Sequence, residues 1–203
     1  KGEIARTFDG FGGASLTLAL APDGRTLAVS ENRLTPLGSD VRVLDLGPEG
    51  KLTLAGLEGM VTSMKFSPDG TRLLTVSMRE ASSYRIELWD ARSGKRVEGF
   101  PTRTEPQPTV VEFSPDGRRV SLASSDLGTE TTLRICEADG GRETLCVPDL
   151  PFYVPQVAWS PDGRRLALVI HDGVRRSGGV RMLDAESGQE LLALDPDGGT
   201  YSA

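Results

Sequence analysis

One four-residue turn recurs through this chain at nearly constant spacing, and it restricts the fold more than any other feature. Ser67-Pro68-Asp69-Gly70 returns as Ala21-Pro22-Asp23-Gly24, Ser114-Pro115-Asp116-Gly117 and Ser160-Pro161-Asp162-Gly163. Proline presets φ at the first corner, aspartate tolerates the second, and glycine takes the left-handed position that closes a hairpin. The prolines lie 46, 47 and 46 residues apart. After the second turn, Leu73, Thr75 and Ser77 alternate with Leu74 and Val76, the period-2 pattern of a strand. A polar loop follows, then Ile86, Leu88 and Trp89, then a second turn at Ala91-Arg92-Ser93-Gly94.

A repeat of this length holding four short strands is the signature of a β-propeller blade, so the expected class is all-β, built of four-stranded antiparallel blades. The first unit predicts strands near Leu16–Ala21, Thr26–Ser30, Val41–Asp45 and Lys51–Ala55. The second predicts Val61–Ser67, Arg72–Ser77, Arg85–Asp90 and Lys95–Phe100. The third predicts Thr109–Ser114, Arg119–Ala123, Thr131–Glu137 and Arg142–Val147, and the fourth Gln156–Ser160, Arg165–Ile170, Val180–Asp184 and Glu190–Leu194. No window shows capped helical spacing.

The segment FSPDGTRLLTVS…IELWDARSGKRV resembles a WD40 repeat, including the Trp89-Asp90 pair. Leu44-Asp45, Cys136-Glu137 and Leu183-Asp184 stand at the matching place in the other units, and Glu58-Gly59 stands where many WD40 repeats carry Gly-His. The polar connections between second and third strands look more like those of TolB and of prolyl-oligopeptidase-type propellers. The resemblance covers nearly the whole chain and implies the propeller fold.

The expected division is residues 1–8 as the outer strand of a preceding blade, blades at 9–55, 56–100, 101–147 and 148–195, and a tail or linker at 196–203. Four complete units plus one orphan strand lead us to expect part of a larger ring, with a four-bladed ring or an assembly of partial rings as alternatives. In a closed four-bladed ring, Lys1–Phe8 has one free place to dock, beyond Glu190–Leu194.

At 203 residues the chain is long enough to bury a substantial core. Its formal charge of −6 argues against nucleic acid or an anionic membrane as partner, and no apolar run approaches a membrane span. If Glu137 pairs with Arg142, Cys136 faces Glu143 and Cys146 faces Leu133. That odd offset puts the two thiols on opposite faces and about 10 Å apart, beyond disulfide reach. Two cysteines and one histidine are too few for a structural zinc site, and one aspartate per turn is too few for calcium. Neither a metal nor a cofactor is expected.

Catalysis is not expected either. His171 is the single histidine, Asp172 beside it points away in a strand, and no nucleophile elbow, Walker loop or dinucleotide fingerprint occurs. Arg72, Arg119 and Arg165 should sit across from Asp90, Glu137 and Asp184 as cross-strand ion pairs. What varies among the repeats is the connection between second and third strands, and variable insertions on one face of a repeat array mark its binding face. The candidate partner-binding residues there are Asn32, Arg33, Glu80, Tyr84, Asp126, Glu130, His171, Asp172, Arg175 and Arg176. The expected function is therefore a non-catalytic propeller scaffold that binds a protein or peptide through these loops. The alternative is a TolB-like or peptidase-associated propeller that gates or presents peptide to a catalytic domain outside this segment. Self-association or additional blades at the open ends are further expectations.

Overall fold

The computed structural model describes residues 12, 15–34, 37–45, 51–79, 83–100, 108–126, 130–151, 153–172, 177–194 and 200–201. Every regular element among them is a β-strand, in four antiparallel sheets whose strands follow chain order. The first sheet holds β1 (Ser15–Leu20), β2 (Thr26–Leu34), β3 (Leu37–Asp45) and β4 (Lys51–Glu58). The second holds β5 (Met60–Phe66), β6 (Arg72–Met78) and β7 (Tyr84–Asp90). The third holds β8 (Pro108–Phe113), β9 (Arg119–Asp126), β10 (Glu130–Glu137) and β11 (Glu143–Leu150). The fourth holds β12 (Tyr153–Trp159), β13 (Arg165–Asp172), β14 (Ser177–Asp184), β15 (Glu190–Leu194) and the two-residue β16 (Thr200–Tyr201). These are propeller blades, as the period predicts.

The repeated turns are closed by their own side chains. Gly70 N–H donates to Ser67 O at 2.8 Å, and Ser67 Oγ donates to Asp69 Oδ1 at 2.6 Å. Asp69 Oδ1 in turn accepts Thr71 N–H at 3.0 Å, an arrangement repeated at Ser114–Asp116–Arg118 and Ser160–Asp162–Arg164. In the first turn Ala21 has no hydroxyl, and Asp23 accepts instead from Arg25 N–H, Thr26 N–H and the Thr26 hydroxyl. The glycines sit at φ 65° to 70°, which only glycine reaches without strain. Successive turns also stack. A side chain at Gly70 would meet Pro22 Cδ at 3.8 Å, one at Gly117 would meet Pro68 Cδ at 3.6 Å, and one at Gly163 would meet Pro115 Cδ at 3.9 Å.

The core lies between sheets, because alternate residues of each strand face opposite neighbours. Ala28, Val41 and Val43 of the first sheet pack on Val61, Met64 and Leu73 of the second. Leu74, Val76, Ile86 and Leu88 of the second pack on Val111, Phe113, Val120 and Leu122 of the third. Ala123, Leu133 and Ile135 of the third pack on Val157, Leu166 and Leu168 of the fourth.

The structure departs from the sequence reading in several places. Lys95–Phe100 is no full strand: it touches β7 by one bridge, Trp89 to Arg96, before turning at Gly99, and Phe100 is buried in the core between second and third sheets. The chain there trades ladder hydrogen bonds for burial of an aromatic ring. The connections between second and third strands are shorter than expected, because the strands run on through them: Glu31 to Leu34 pair with Asp40 to Leu37, and His171 pairs with Gly178. The β10–β11 ladder carries a register shift between Ile135 and Cys136, so Cys136 faces Glu143 as expected but Cys146 faces Arg134, not Leu133. The shift places both thiols on the same face, two residues apart along the strand, and both are free. Lys1–Phe8 lies outside the described residues. The edge of β15 where it could dock is taken in part by β16, with Leu194 opposite Thr200.

Candidate functional site

An antiparallel blade has two ends, and the fold assigns them different characters. The repeated turns join first to second strands at one end, so the hairpins joining second to third strands emerge at the other. Since the turns stack from sheet to sheet, the hairpin tips share the opposite end.

The candidate residues divide by what surrounds them. Arg33, near the tip of β2, is exposed and reaches Asp40 across the hairpin at 3.3 Å. Glu130, opposite Asp126 at the β9–β10 tip, is exposed, and so is His171 on β13. Asp126 and Asp172 are placed as strand residues in those hairpins. Glu80, Arg175 and Arg176 lie outside the described residues.

Asn32 and Tyr84 are built into the protein instead. Tyr84 is buried in the core between second and third sheets. Asn32 is 2% exposed, and its amide clamps the first sheet to the second. Asn32 Nδ2 donates to Val61 O at 3.1 Å, while Oδ1 accepts Val61 N–H at 3.1 Å and the Ser39 hydroxyl at 2.6 Å. Ser39 Oγ also lies 2.8 Å from Gly59 O. The clamp requires Gly59: at φ 90°, a Cβ there would fall 2.3 Å from Met78 O. A polar residue on a variable connection carries no sequence sign that it turns inward.

At the turn end, charges are spent between blades. The registers place Arg72 beside Asp90, Arg119 beside Glu137 and Arg165 beside Asp184, as expected. Two of these arginines nevertheless bond forward to the next sheet. Arg72 pairs with Asp139 of the third sheet's turn. Arg119 donates to Gly163 O of the fourth sheet's turn and lies 4.8 Å over the Trp159 ring. Asp90 and Asp184 accept from the backbone N–H and hydroxyl of Ser93 and Ser187, and Glu137 pairs with Arg142. A long side chain at a sheet end reaches the adjacent blade as readily as its strand partner, which a register argument within one sheet does not register. Further joints are Lys65 to Glu112 between second and third sheets, and Trp159 Nε1 to Ser121 Oγ at 3.1 Å between third and fourth.

These bonds hold the turn carboxylates below their ordinary value. The Ser67, Ser114 and Ser160 hydroxyls are the main cause at Asp69, Asp116 and Asp162, and the Arg25 and Thr26 amides at Asp23. A groove lined by Asp116, Arg118, Arg119, Glu137, Asp139 and Glu186 opens between third and fourth sheets. Much of its charge is spent within the protein, in the pairs just described. Cys136, buried against the second sheet, has its thiol pushed up to about 11 by burial, while Cys146 is exposed. Among the described residues no group of three or more His, Cys, Asp or Glu is placed to hold a metal.

Comparison with known proteins agrees with this architecture. Residues 49–90 match the family model WD40, "WD domain, G-beta repeat". A Bacillus subtilis protein named "Uncharacterized peptidase YuxL" is 32% identical over 118 residues, covering 56% of this chain and 18% of that protein. Eukaryotic translation initiation factor 3 subunit I of Pyricularia oryzae is 29% identical over 135 residues, covering 66% of this chain and 37% of that protein. Among solved structures, Kuenenia stuttgartiensis hydrazine synthase is similar at a TM-score of 0.67 and 19% identity, over 96% of this chain and 53% of that one. TolB from Acinetobacter baumannii is similar at 0.58 and 19% identity, over 89% of this chain and 43% of that one. The chain thus spans under two-fifths of these curated relatives and about half of these solved chains. Residues 49–90 thus match a WD40 repeat, and the chain that carries them has the all-β blade architecture of the propellers.

Proposed function

We propose that this chain is a non-catalytic interaction scaffold that holds a protein or peptide at the hairpin end of its blades. One observation carries the reading: the turn end repeats and satisfies its own polar groups, whereas the hairpin end does not repeat. Arg33, Glu130 and His171 supply exposed polar contacts there, and Glu80, Asp126, Asp172, Arg175 and Arg176 complete the proposed surface. Asn32 and Tyr84 support it from beneath. In mechanism the scaffold is geometric: packed sheets fix where the tips stand, so a partner meets a preorganised surface. The similarity to an initiation-factor subunit is in keeping with such a role. The blade divisions at 9–55, 56–100, 101–147 and 148–195 are part of the proposal.

A second reading rests on the similarity to a relative named as a peptidase. In it the same end gates or presents peptide to a catalytic domain outside this segment. Peptides selected from a random library against the immobilised chain test the first reading. Charge reversal at Arg175 and Arg176 together should weaken such a peptide about tenfold, or about 1.4 kcal/mol, with the melting temperature nearly unchanged. Arg72→Glu should lower the melting temperature slightly and leave binding alone. Equal effects on binding from both ends would remove the case for a single binding face.

A further inference from the structure

Counting from the turn prolines brings equivalent positions of the three joints between sheets into line. At the hairpin end of each joint, the residue ten after one proline and its cross-strand partner look toward the next sheet. There the first strand begins near the residue seven before the next proline. The facing sets are Asn32 and Ser39 with Val61, Met78 and Tyr84 with Pro108, and Ser125 and Thr131 with Val154. At the third joint, the alternation that buries Ala123 and Leu133 with Val154 puts Ser125 and Thr131 on the same side. The facing side chains follow what the strand offers them. Val61 has an N–H and a C=O, and the Asn32 amide bonds both. Pro108 has no N–H, and it is met by Met78 and the buried Tyr84 ring. Val154 again has both groups, and it is met by two hydroxyls.

Ser125 is 5% exposed and Thr131 1%, and among the described residues neither hydroxyl has a hydrogen-bond partner. Buried hydroxyls are bonded to protein or to ordered water, because an unmet one keeps its full desolvation cost. Ser125 carries two fewer side-chain heavy atoms than Asn32, and Thr131 one more than Ser39. The difference is one heavy atom, the size of a water oxygen. We propose that one buried water takes the place of the Asn32 carboxamide at the third joint. It accepts from the Ser125 and Thr131 hydroxyls and donates to Val154 O, about three bonds in all, the usual number for an internal water. A carbonyl has two lone pairs, so Val154 O takes that bond beside any other it makes. The turn end of the same joint is closed directly, by Arg119 to Gly163 O and by Trp159 Nε1 to Ser121 Oγ. The water site lies at the opposite end, beneath the β9–β10 hairpin whose tip carries the exposed Glu130. What the water fixes is therefore the position of that tip against the fourth sheet.

Thr131→Val tests the proposal, because it keeps the side chain's shape and removes one hydroxyl. Urea unfolding is followed at Trp159, which packs in this joint, with Trp89→Phe as background. Removing a hydroxyl that bonds nothing is neutral or stabilising, whereas removing one that holds a water lowers the folded-to-unfolded ratio, here by about fivefold. In NMR spectra of the parent chain, the Thr131 methyl should show a cross-peak to water with the sign of a molecule tumbling with the protein. Ser125→Asn should abolish that cross-peak, its amide displacing the water as Asn32 does at the first joint. A neutral or stabilising Thr131→Val, or a parent chain without the cross-peak, would overturn the proposal. Survival of the cross-peak in folded Ser125→Asn would overturn the equivalence with Asn32. The first two readouts introduce no larger side chain, so they decide the matter even where asparagine does not fit.

Discussion

Asn32→Ala separates a structural clamp from a binding residue, and its cost can be worked from the bonds it breaks. The amide makes one hydrogen bond to Val61 O and accepts two, from Val61 N–H and Ser39 Oγ. After truncation the Ser39 hydroxyl still reaches Gly59 O, and Val61 N–H still has Ser39 Oγ at 3.0 Å. Val61 O keeps only the long contact from Thr17 Oγ1 at 3.4 Å. One buried carbonyl left nearly unpaired costs about 1–3 kcal/mol, and the lost side-chain volume adds about 1 kcal/mol. The expected loss is thus about 2–4 kcal/mol, local to the joint between first and second sheets. Trp89 packs on that joint and donates to Thr75 Oγ1, whereas Trp159 lies at the third. With Trp159→Phe as background, urea unfolding followed by Trp89 emission reads the joint directly. In a repeat array each joint contributes separately, so the reciprocal background, Trp89→Phe, should show a smaller shift. A loss under about 0.5 kcal/mol, the range of surface substitutions, would show that Asn32 holds nothing together.

Two further outcomes are expected. Cys146 should react with a disulfide reagent in the native protein, while Cys136, buried with its thiol at about 11, should react only after unfolding; two fast thiols, or none, would contradict the β10–β11 register. The lowered Asp23, Asp69, Asp116 and Asp162 add stability that is present above the ordinary value of 3.8 and lost as pH falls through their folded values. The thermal midpoint should therefore fall below pH 4, and Asp69→Asn with Asp116→Asn should flatten that fall; an unchanged slope would remove these turns as its source.

Turn chemistry and period-2 alternation are local, and they place the repeated turns and, among the described residues, fifteen of the sixteen strands. β16 and the bend at Gly99 escaped because no local pattern marks where a chain stops pairing. The β10–β11 shift turned on one extra residue, which composition does not announce. The hairpin ends were harder for another reason. Glu31 to Leu34 alternates no apolar residues, yet its backbone pairs fully with Leu37 to Asp40, because ladder hydrogen bonds do not depend on side-chain polarity. Asn32 stands on a variable connection in the sequence, and its partners bury it. The strand register sets Arg72 and Arg119 beside Asp90 and Glu137, but the distance that decides their bonds is to the next sheet.

The stacked turns carry a consequence for how such a chain changes its length over generations. Between successive repeats, a proline of one turn stands against the glycine of the next: Pro22 against Gly70, Pro68 against Gly117 and Pro115 against Gly163. A duplicated or deleted unit of 46 or 47 residues therefore leaves every surviving seam with both of its halves. Loss of part of a unit strands one half without the other. Lineages of this design should vary by whole units, with the hairpin tips freer to diverge because the stacked turns lie at the opposite end.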